Sequence, residues 1–352
     1  MVVNEMNQGN FSEWLAGACR EIGAHSAACI RMDNPVLRQG IEQNTAQVSN
    51  WLKLGMHGEM DYLKRMLPEK SNPWKTFPFA KSVIVVTFTN RWGDPAATHP
   101  FPAPADDALL GYLSAYARET DYHRTGQAIL AKLATLLGEN IHTEATVDTA
   151  AVYERLFATV GGIGEVGSNT LLRVPESGTT RFFIGCLFVD EKLPEVIHNP
   201  KMLVDCESCG TCLKNCPTGA IQSGQPIDAR QCISYLTIEK KGVLSCEEGE
   251  LIGNWLFGCD DCTSICPPQV EADLRIPVDL EWLFKTPASE IRRIIKGNAV
   301  AYAGVTRLRR NGVVVLKNTG TLRAWDLLQW VGKNTGSELV RRQIDSGGVQ
   351  EI

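Results

Sequence analysis

An ordered run of eight cysteines in the second half of the chain constrains its fold more than any other feature. Three cysteines lie close together, a fourth precedes a proline, a fifth stands alone, and three more end again before a proline. Bacterial two-cluster ferredoxins have ligand runs of this kind, in which the fourth cysteine binds the other [4Fe-4S] cluster. The run comprises Cys206, Cys209, Cys212, Cys216, Cys232, Cys259, Cys262 and Cys266, and the prolines are Pro217 and Pro267.

The spacing divides the eight thiolates between two clusters. Cluster one takes Cys206, Cys209, Cys212 and Cys266, and cluster two takes Cys216, Cys232, Cys259 and Cys262. One ligand has an alternative by count, because Cys246 also lies between the two halves of the run. Cys246 stands among acidic residues and glycine, which is typical of a solvated loop, whereas Cys232 opens an apolar segment. A buried cluster needs apolar surroundings, so we favour Cys232.

Other uses of cysteine fit this chain less well. Disulfide frameworks belong mainly to small secreted chains, and this chain has 352 residues. Structural zinc sites usually consist of two CxxC pairs without a third cysteine three residues later. Three further cysteines with apolar neighbours, Cys19, Cys29 and Cys186, are expected to be buried small hydrophobes.

The cysteines and the apolar pattern together predict the compartment. Clusters bound by thiolates need reducing conditions, which predicts the cytoplasm. The N-terminus lacks the charged and then apolar pattern of a secretory signal. The longest apolar stretches are too short to cross a bilayer, so no membrane partner is expected.

The hydrophobic pattern predicts three regions. Residues 1–200 alternate strand and helix patterns, which is typical of a layered α/β domain. Residues 201–275 form the ferredoxin-like domain, and residues 276–352 form a short α-helical domain whose paired helices resemble HEAT-like units.

Individual elements are predicted from the same pattern. In the first region we predict helices over 11–22, 122–137 and 149–160, and strands over 81–89, 143–147 and 181–189. Asn10 is predicted to cap the first helix. In the third region we predict helices over 280–284, 288–296, 299–310, 313–318, 321–331 and 338–344.

Charge is distributed unevenly along the chain. The net charge is −5, yet residues 285–342 contain twelve Lys and Arg against three Asp and Glu. A basic segment on an acidic body indicates a polyanionic partner. A solvated helix face is the alternative explanation.

Several motifs outside the cysteine run match one family. Over residues 51–318 the chain resembles the epoxyqueuosine reductases. The stretch around Cys232 and the block that ends at Cys262 are the most specific of these motifs. The matching segments are 57–63, 80–86, 116–118, 121–123, 147–149, 162–172, 228–239 and 253–262.

The resemblance implies an enzyme with an α/β cobalamin-binding domain and two [4Fe-4S] clusters. Such an enzyme removes the epoxide oxygen of epoxyqueuosine in the tRNA anticodon loop and gives queuosine. A flavodoxin or a ferredoxin would donate the electrons, and a monomer is expected. Loss of the oxygen needs a general acid, because an alkoxide or hydroxide leaves poorly without a proton. By family position this acid is Asp148, although an aspartate between a strand and a helix is more often an N-cap.

The resemblance also implies contacts with the cofactor and with RNA. The residues implied at the corrin are Arg118, Ser234, Cys259 and Asp260. The residues implied at the tRNA are Lys240, Lys241, Arg307, Arg309 and Arg310. Phosphate contacts of the second kind would fix the position of the RNA and make its binding salt-dependent.

Two positions in the glycine-rich turn depart from the family pattern. Glu165 and Ser168 stand where the family usually has Trp and Lys, and we expect them to change the wall of the active site. Residues 175–180 also lack the usual aromatic-bearing form. These departures leave open a corrinoid and iron–sulfur reductase that acts on a small molecule, akin to reductive dehalogenases. A pure electron-transfer protein without a corrinoid is the third alternative.

Overall fold

A computed structural model describes residues 6–89, 98–175, 179–199, 205–266 and 274–346. Pro267 and residues 176–178 therefore lie outside the described residues. The described strands are β1 (Ser26–Arg31), β2 (Ser82–Phe88), β3 (Leu110–Leu113), β4 (Thr143–Thr146), β5 (Glu165–Val166), β6 (Leu172–Arg173), β7 (Phe183–Val189), β8 (Trp255–Phe257) and β9 (Ile276–Asp279). The described helices are α1 (Gln8–Ile22), α2 (Pro35–Lys53), α3 (Tyr62–Lys70), α4 (Pro73–Thr76), α5 (Tyr122–Leu137), α6 (Glu154–Val160), α7 (Cys206–Cys209), α8 (Thr211–Asn215), α9 (Ile233–Ile238), α10 (Cys246–Ile252), α11 (Asp261–Ser264), α12 (Leu280–Lys285), α13 (Ala288–Ile294), α14 (Gly304–Thr319), α15 (Leu322–Asn334) and α16 (Glu338–Asp345).

A four-stranded sheet organises the first region. Its order is β1-β2-β7-β4, and each neighbouring pair is antiparallel. Successive side chains of a strand point to opposite faces, so Ile84 packs with α1 and α5 whereas Val85 packs with α2 and α6. Helices on both faces explain why every residue of β2 is buried, including the polar Ser82 and Thr87. The sheet thus separates two hydrophobic cores.

Most of the elements predicted for the first region are present, with differences at their ends. The helix predicted over 122–137 is confirmed as α5, and the three predicted strands are confirmed as β2, β4 and β7. The predicted cap of α1 is wrong, since Asn7 caps the helix by accepting a hydrogen bond from the Asn10 N–H. The helix predicted over 149–160 begins only at Glu154, with Tyr153 at its N-cap position. Asp148 therefore does not cap this helix.

A second, small sheet connects distant parts of the chain. β3 lies between β8, which is parallel to it, and β9, which is antiparallel. The hydrophobic core beside this sheet combines Leu113 with Phe257 and with the helices after residue 280. The segments before, within and after the cysteine region are consequently packed together. The division at residues 200 and 275 stays a prediction.

The helical region contains one long central helix where two were predicted. The Asn311-Gly312 pair was read as a break between helices, but both residues lie inside α14. The Asn311 amide is buried and donates to the carbonyls of Thr237 (2.9 Å) and Leu256 (2.7 Å). Gly312 lets α14 pass close to the Phe284 ring. Tertiary contacts therefore use both residues without ending the helix. Among the described helices none is long and apolar enough to cross a membrane.

Candidate iron–sulfur centres and active site

The four thiols predicted for cluster one lie near one another. Cys206 and Cys209 are the ends of α7, Cys212 lies in α8, and Cys266 follows α11. Burial raises the pKa of the Cys266 thiol, and the nearby Cys206, Cys212 and Cys209 raise it further. The same four cysteines line one cavity. The structure thus brings these predicted ligands together.

The thiols predicted for cluster two form a neighbouring group. Burial raises the pKa of the Cys262 thiol, and Cys232, Cys212 and Cys216 add to this effect. Burial also raises the pKa of the Cys259 thiol, and Cys262 is among the groups that raise it further. Cys212 of the first group affects the pKa of Cys262 of the second group, so the two groups lie side by side. An electron path between two clusters requires such an arrangement.

The donor set fits two iron–sulfur clusters. In the described part of the chain, no three His, Cys, Asp or Glu side chains are arranged to hold a single metal ion. A [4Fe-4S] cluster is larger than one ion and takes its thiolates at a wider spacing. The absence of such a three-residue arrangement among the described residues therefore excludes only a site for a single metal ion. Two half-buried groups of four thiols are the donors that two [4Fe-4S] clusters need.

The surroundings of Cys246 differ from those of Cys232. Cys246 is exposed and begins α10, whose N-terminus has a capping box formed by Ser245 and Glu248. The solvated loop expected there is therefore an exposed helix. Cys232 is half-buried, and its thiol lies near that of Cys216. This arrangement favours Cys232 as the ligand, which stays a prediction. Cys19, Cys29 and Cys186 are buried, as expected.

The glycine-rich turn lies against the cluster-one thiols. β5 and β6 form a short hairpin in which Glu165 pairs with Arg173. Ser168, in the loop of this hairpin, lines the cavity of the cluster-one cysteines. Ser168 thus lies close to the predicted cluster-one ligands, and its expected effect on the wall of the active site stays a prediction. Glu165 is exposed on β5.

Asp148 occupies an unusual backbone position. Its φ is +57°, which is uncommon for a residue other than glycine and is best tolerated by Asp and Asn. The Thr149 N–H donates to the Val147 carbonyl (2.6 Å), which closes a three-residue turn around Asp148. The turn follows β4 and leaves the Asp148 side chain 62% exposed. Its carboxylate is therefore largely exposed and does not cap a helix.

Two side chains of α5 contact the Asp148 carboxylate. The Tyr122 hydroxyl donates to Asp148 Oδ2 (2.5 Å), and His123 Nε2 lies 3.7 Å from the same oxygen. The other nitrogen of His123 is 2.7 Å from Asp121 Oδ1. This hydrogen bond to Asp121 raises the pKa of His123. His123 thus lies between Asp121, to which it is hydrogen-bonded, and the Asp148 carboxylate, which is at ion-pair distance.

The cleft around Asp148 is formed by several elements. Burial raises the pKa of Tyr62, Glu239 and Tyr302, and Asp148 is among the charges that raise it further. These three residues belong to α3, to the end of α9 and to the 3-10 turn before α14. Asp148 therefore lies near residues of α3, of the end of α9 and of the turn before α14, and these residues surround the site that is called the cleft below.

Tyr116 connects this cleft to cluster two. Burial raises its pKa, with Asp260 and Asp148 as the next two contributors, so Tyr116 lies near both carboxylates. Its ring is 5.7 Å from Phe257 and 6.2 Å from Tyr122. Asp260 is buried next to the ligand Cys259, and its carboxylate accepts from Ser114 Oγ (2.5 Å) and the Ala115 N–H (2.7 Å). Tyr116 and its aromatic neighbours thus border both the Cys259-Asp260 segment and Asp148.

The remaining residues implied at the corrin have internal partners. Arg118 Nη2 donates to the Leu274 carbonyl (2.7 Å). Burial raises the pKa of the Cys232 thiol, and hydrogen bonds from Ser234 oppose that shift. Ser234 consequently lies at a ligand of cluster two. The roles of Arg118, Ser234, Cys259 and Asp260 at a corrin stay predictions.

The five residues implied at the tRNA are not equivalent. Arg310 is fully buried and donates to the carbonyls of Leu236 (2.9 Å), Lys240 (3.1 Å) and Gly242 (3.3 Å). Its implied RNA contact is therefore corrected, since it holds the loop that carries Lys240 and Lys241. Arg309 is half-buried and donates to carbonyls at the end of α12.

The other residues implied at the tRNA are Lys240, Lys241 and Arg307. Lys240 is paired with Glu248 (2.6 Å). Lys241 is exposed, and Arg307 is half-exposed on α14. Lys241 and Arg307 are therefore the members of the set that are best placed to meet phosphate.

Sequence reasoning did not assign roles to several residues of the site. Tyr116, Tyr122 and His123 lie in motifs that carried the family resemblance, but spacing alone does not show that they meet Asp148. Nothing in the sequence marked Arg173 as a residue of the site, because a lone arginine in a short strand is usually at the surface.

Iron–sulfur ligands beside a carboxylate cleft define an oxidoreductase with two [4Fe-4S] clusters. Comparison with known proteins narrows this class. Residues 205–269 match a 4Fe-4S double cluster binding domain, and residues 70–149 match the domain described as epoxyqueuosine reductase QueG, DUF1730. The chain belongs to the epoxyqueuosine reductase family.

Individual relatives support this assignment over most of the chain. The epoxyqueuosine reductase of Pseudomonas aeruginosa is 34% identical over 323 residues, which cover 86% of each chain. That of Escherichia coli is 33% identical over 300 residues, or 81% of this chain and 76% of the relative. A crystal structure of epoxyqueuosine reductase with an epoxyqueuosine-modified tRNA-Tyr stem loop has a TM-score of 0.78 at 23% identity. It covers 96% of this chain and 89% of its own, and it shows a shared fold.

Proposed function

We propose that this protein reduces epoxyqueuosine to queuosine in the anticodon loop of tRNA, with cobalamin bound between cluster two and Asp148. The observation that carries the proposal is the position of the exposed Asp148 carboxylate across Tyr116 from the Cys259-Asp260 segment. This arrangement supports a proton donor on one side of the cleft and an electron path on the other. The membership in the epoxyqueuosine reductase family supplies the substrate.

The residues of the cleft fit a large cofactor with polar edges. Tyr122 stacks with both Phe183 and His123, with ring centroids 4.0 Å and 4.1 Å away, so these rings already pack against one another. The hydroxyls of Tyr62 and Tyr302 lie near Glu239, and hydroxyls can bond to the amide groups of a macrocycle. When bound here, cobalamin would supply a strongly reducing cobalt centre.

The chain's own residues would complete the reaction. Loss of the epoxide oxygen as water takes two electrons and two protons. Electrons would come singly from a donor protein such as a flavodoxin or ferredoxin, and the two groups of four thiols would hold the clusters that carry them. Asp148 protonates the departing oxygen, Tyr122 holds the Asp148 carboxylate in place, and His123 lies where it can return a proton to Asp148. We propose that the protein acts in the cytoplasm as a monomer.

The position of Ser168 bears on the small-molecule alternative. That alternative was motivated by Glu165 and Ser168 at the active-site wall, whereas Ser168 lines the cluster-one cavity. The surface cations Lys241 and Arg307 lie on the side of the molecule that also carries Glu239 and Tyr302. A polyanionic substrate is thus favoured over a small molecule.

An anaerobic reconstitution tests the proposal. The protein is loaded with iron, sulfide and cobalamin, reduced, and given tRNA from a strain in which its gene is deleted. We expect that this tRNA contains epoxyqueuosine, and that the loaded protein converts it to queuosine in proportion to its cobalt content. The absence of epoxyqueuosine in the deletion strain, or cobalt-independent conversion, would contradict the proposal. Cobalt that fails to bind while both clusters form would favour the electron-carrier alternative.

A further inference from the structure

Arg173 is a buried arginine whose hydrogen bond goes to a cluster-one thiol. It lies on β6 with 3% of its surface exposed, and its Nη1 is 3.1 Å from Cys206 Sγ. Charged side chains are rarely buried without a partner, because removing a charge from water costs several kcal/mol or more. Among the described residues, Arg173 Nε has no hydrogen-bond partner. The sulfur ligands are therefore the counter-charge that this guanidinium meets.

The charge of Arg173 acts on the cluster-one group as a whole. Arg173 lines the same cavity as all four thiols of this group, Cys206, Cys209, Cys212 and Cys266. The hairpin loop and Thr180 line the same cavity as Arg173. The interaction is consequently shielded from solvent. Charges interact more strongly in such a shielded site than in water.

The expected consequence concerns the reduction potential. A [4Fe-4S] cluster with four thiolates becomes more negative when it takes up an electron, and a nearby cation stabilises that state. A hydrogen bond to a ligand sulfur acts in the same direction. We propose that Arg173 raises the reduction potential of cluster one, so that cluster one holds the first electron that the protein receives.

The electron balance of this step is simple. An external one-electron donor protein is oxidised, and cluster one passes from the 2+ to the 1+ core state with its thiolates unchanged. Cluster two lies on the Asp260 and Tyr116 side and is reduced after cluster one. The proposal rests on the two clusters and does not depend on the substrate or on cobalamin.

The test is a potentiometric titration of the cluster-loaded protein without tRNA or cobalamin, followed by EPR spectroscopy. Arg173→Met keeps an unbranched side chain in the buried space but removes the charge and the donor. Arg173→Lys keeps the charge and loses the planar fork of donors. Lys214→Gln is the matched control, because Lys214 is an exposed cation near Cys209 that solvent screens.

We expect two couples in the unmodified protein. In Arg173→Met the higher couple shifts to a more negative potential by about tenfold in the equilibrium constant, which is about 59 mV for one electron. The lower couple stays in place, Arg173→Lys shifts the higher couple less, and Lys214→Gln leaves both nearly unchanged. An unchanged higher couple in Arg173→Met would overturn the proposal. If that variant does not retain both clusters, an unchanged higher couple in Arg173→Lys overturns it instead.

Discussion

At the scale of single residues, Asp148 combines an exposed carboxylate with a backbone conformation that few residues tolerate. Asp148→Asn is the informative change, since Asn also accepts a positive φ and can still accept a hydrogen bond from Tyr122. We expect turnover to fall by about 10²–10⁴-fold because the general acid is lost. Single-turnover conversion of epoxyqueuosine, followed by nucleoside mass spectrometry, measures this. Iron and cobalt contents should match the unmodified protein, and retained turnover would exclude Asp148 as the acid.

His123 should titrate according to its bond with Asp121. The bond raises the pKa of His123 above its ordinary value of about 6.5. The pair therefore stabilises the fold fully below about pH 6.5, and this contribution is lost as pH rises through the pKa of the folded protein. Asp121→Asn keeps an N-cap residue on α5 and removes the charge. An NMR titration should give a lower pKa for His123 in this variant. An equal pKa in both proteins would show that Asp121 does not control it.

At the scale of elements, α14 is tied to the loop after α9 by Arg310. Its side chain donates to three carbonyls between residues 236 and 242, and its pKa is lowered to about 10 by burial. We expect Arg310→Met to destabilise the protein by about 3 kcal/mol, because these carbonyls lose a charged donor. Thermal unfolding measures the loss as a lower Tm. Arg307→Met on the same helix is the control and should leave Tm nearly unchanged. Equal Tm values in all three proteins would contradict the role given to Arg310.

At the scale of the whole molecule, the cysteine segment lies between the first region and the helical region. Each of the two clusters is expected to take four thiolates, so removal of one ligand should affect one cluster. We expect Cys232→Ser to lose about half of the iron, since one of two clusters loses a thiolate. Cys246→Ser is the control and should keep its iron, because Cys246 is exposed on α10. Iron analysis on anaerobic samples measures both. The reverse result would assign the ligand to Cys246.

Electrostatics of the whole molecule should also control RNA binding. Each phosphate contact adds about 0.9 to the slope of log affinity against log salt for a duplex, and about 0.7 for a single strand. We expect the double variant Lys241→Ala, Arg307→Ala to bind the modified tRNA more weakly and with a slope smaller by about 1–2. Fluorescence anisotropy at several salt concentrations measures this. Lys132→Ala, an exposed lysine on α5 outside the implied set, is the control. An unchanged slope would remove both residues from the RNA contact.

Local patterns correctly predicted the elements in which neighbouring residues favour the same secondary structure. Helix α5 was predicted because its periodicity specifies one face to bury. Strand β2 was predicted because its pattern specifies burial of both faces. The prediction failed where a polar or small residue has a partner far away in the chain. Asn311 and Gly312 looked like a break, yet carbonyls of α9 and β8 and the Phe284 ring explain them inside α14. Contacts of this kind have no signal in a local window.

The sequence by itself determined the two iron–sulfur clusters and the family, because ligand spacing and several separate motifs are properties of the chain order. Only the tertiary structure decided which charged groups act together. It placed Asp148 in a turn beside Tyr122 and His123, buried Arg310 away from any RNA, and set Arg173 against Cys206. The physical reason is that the energy of a charge depends on its burial and on its partners. Both are fixed by segments that are distant in sequence and meet only in the folded protein.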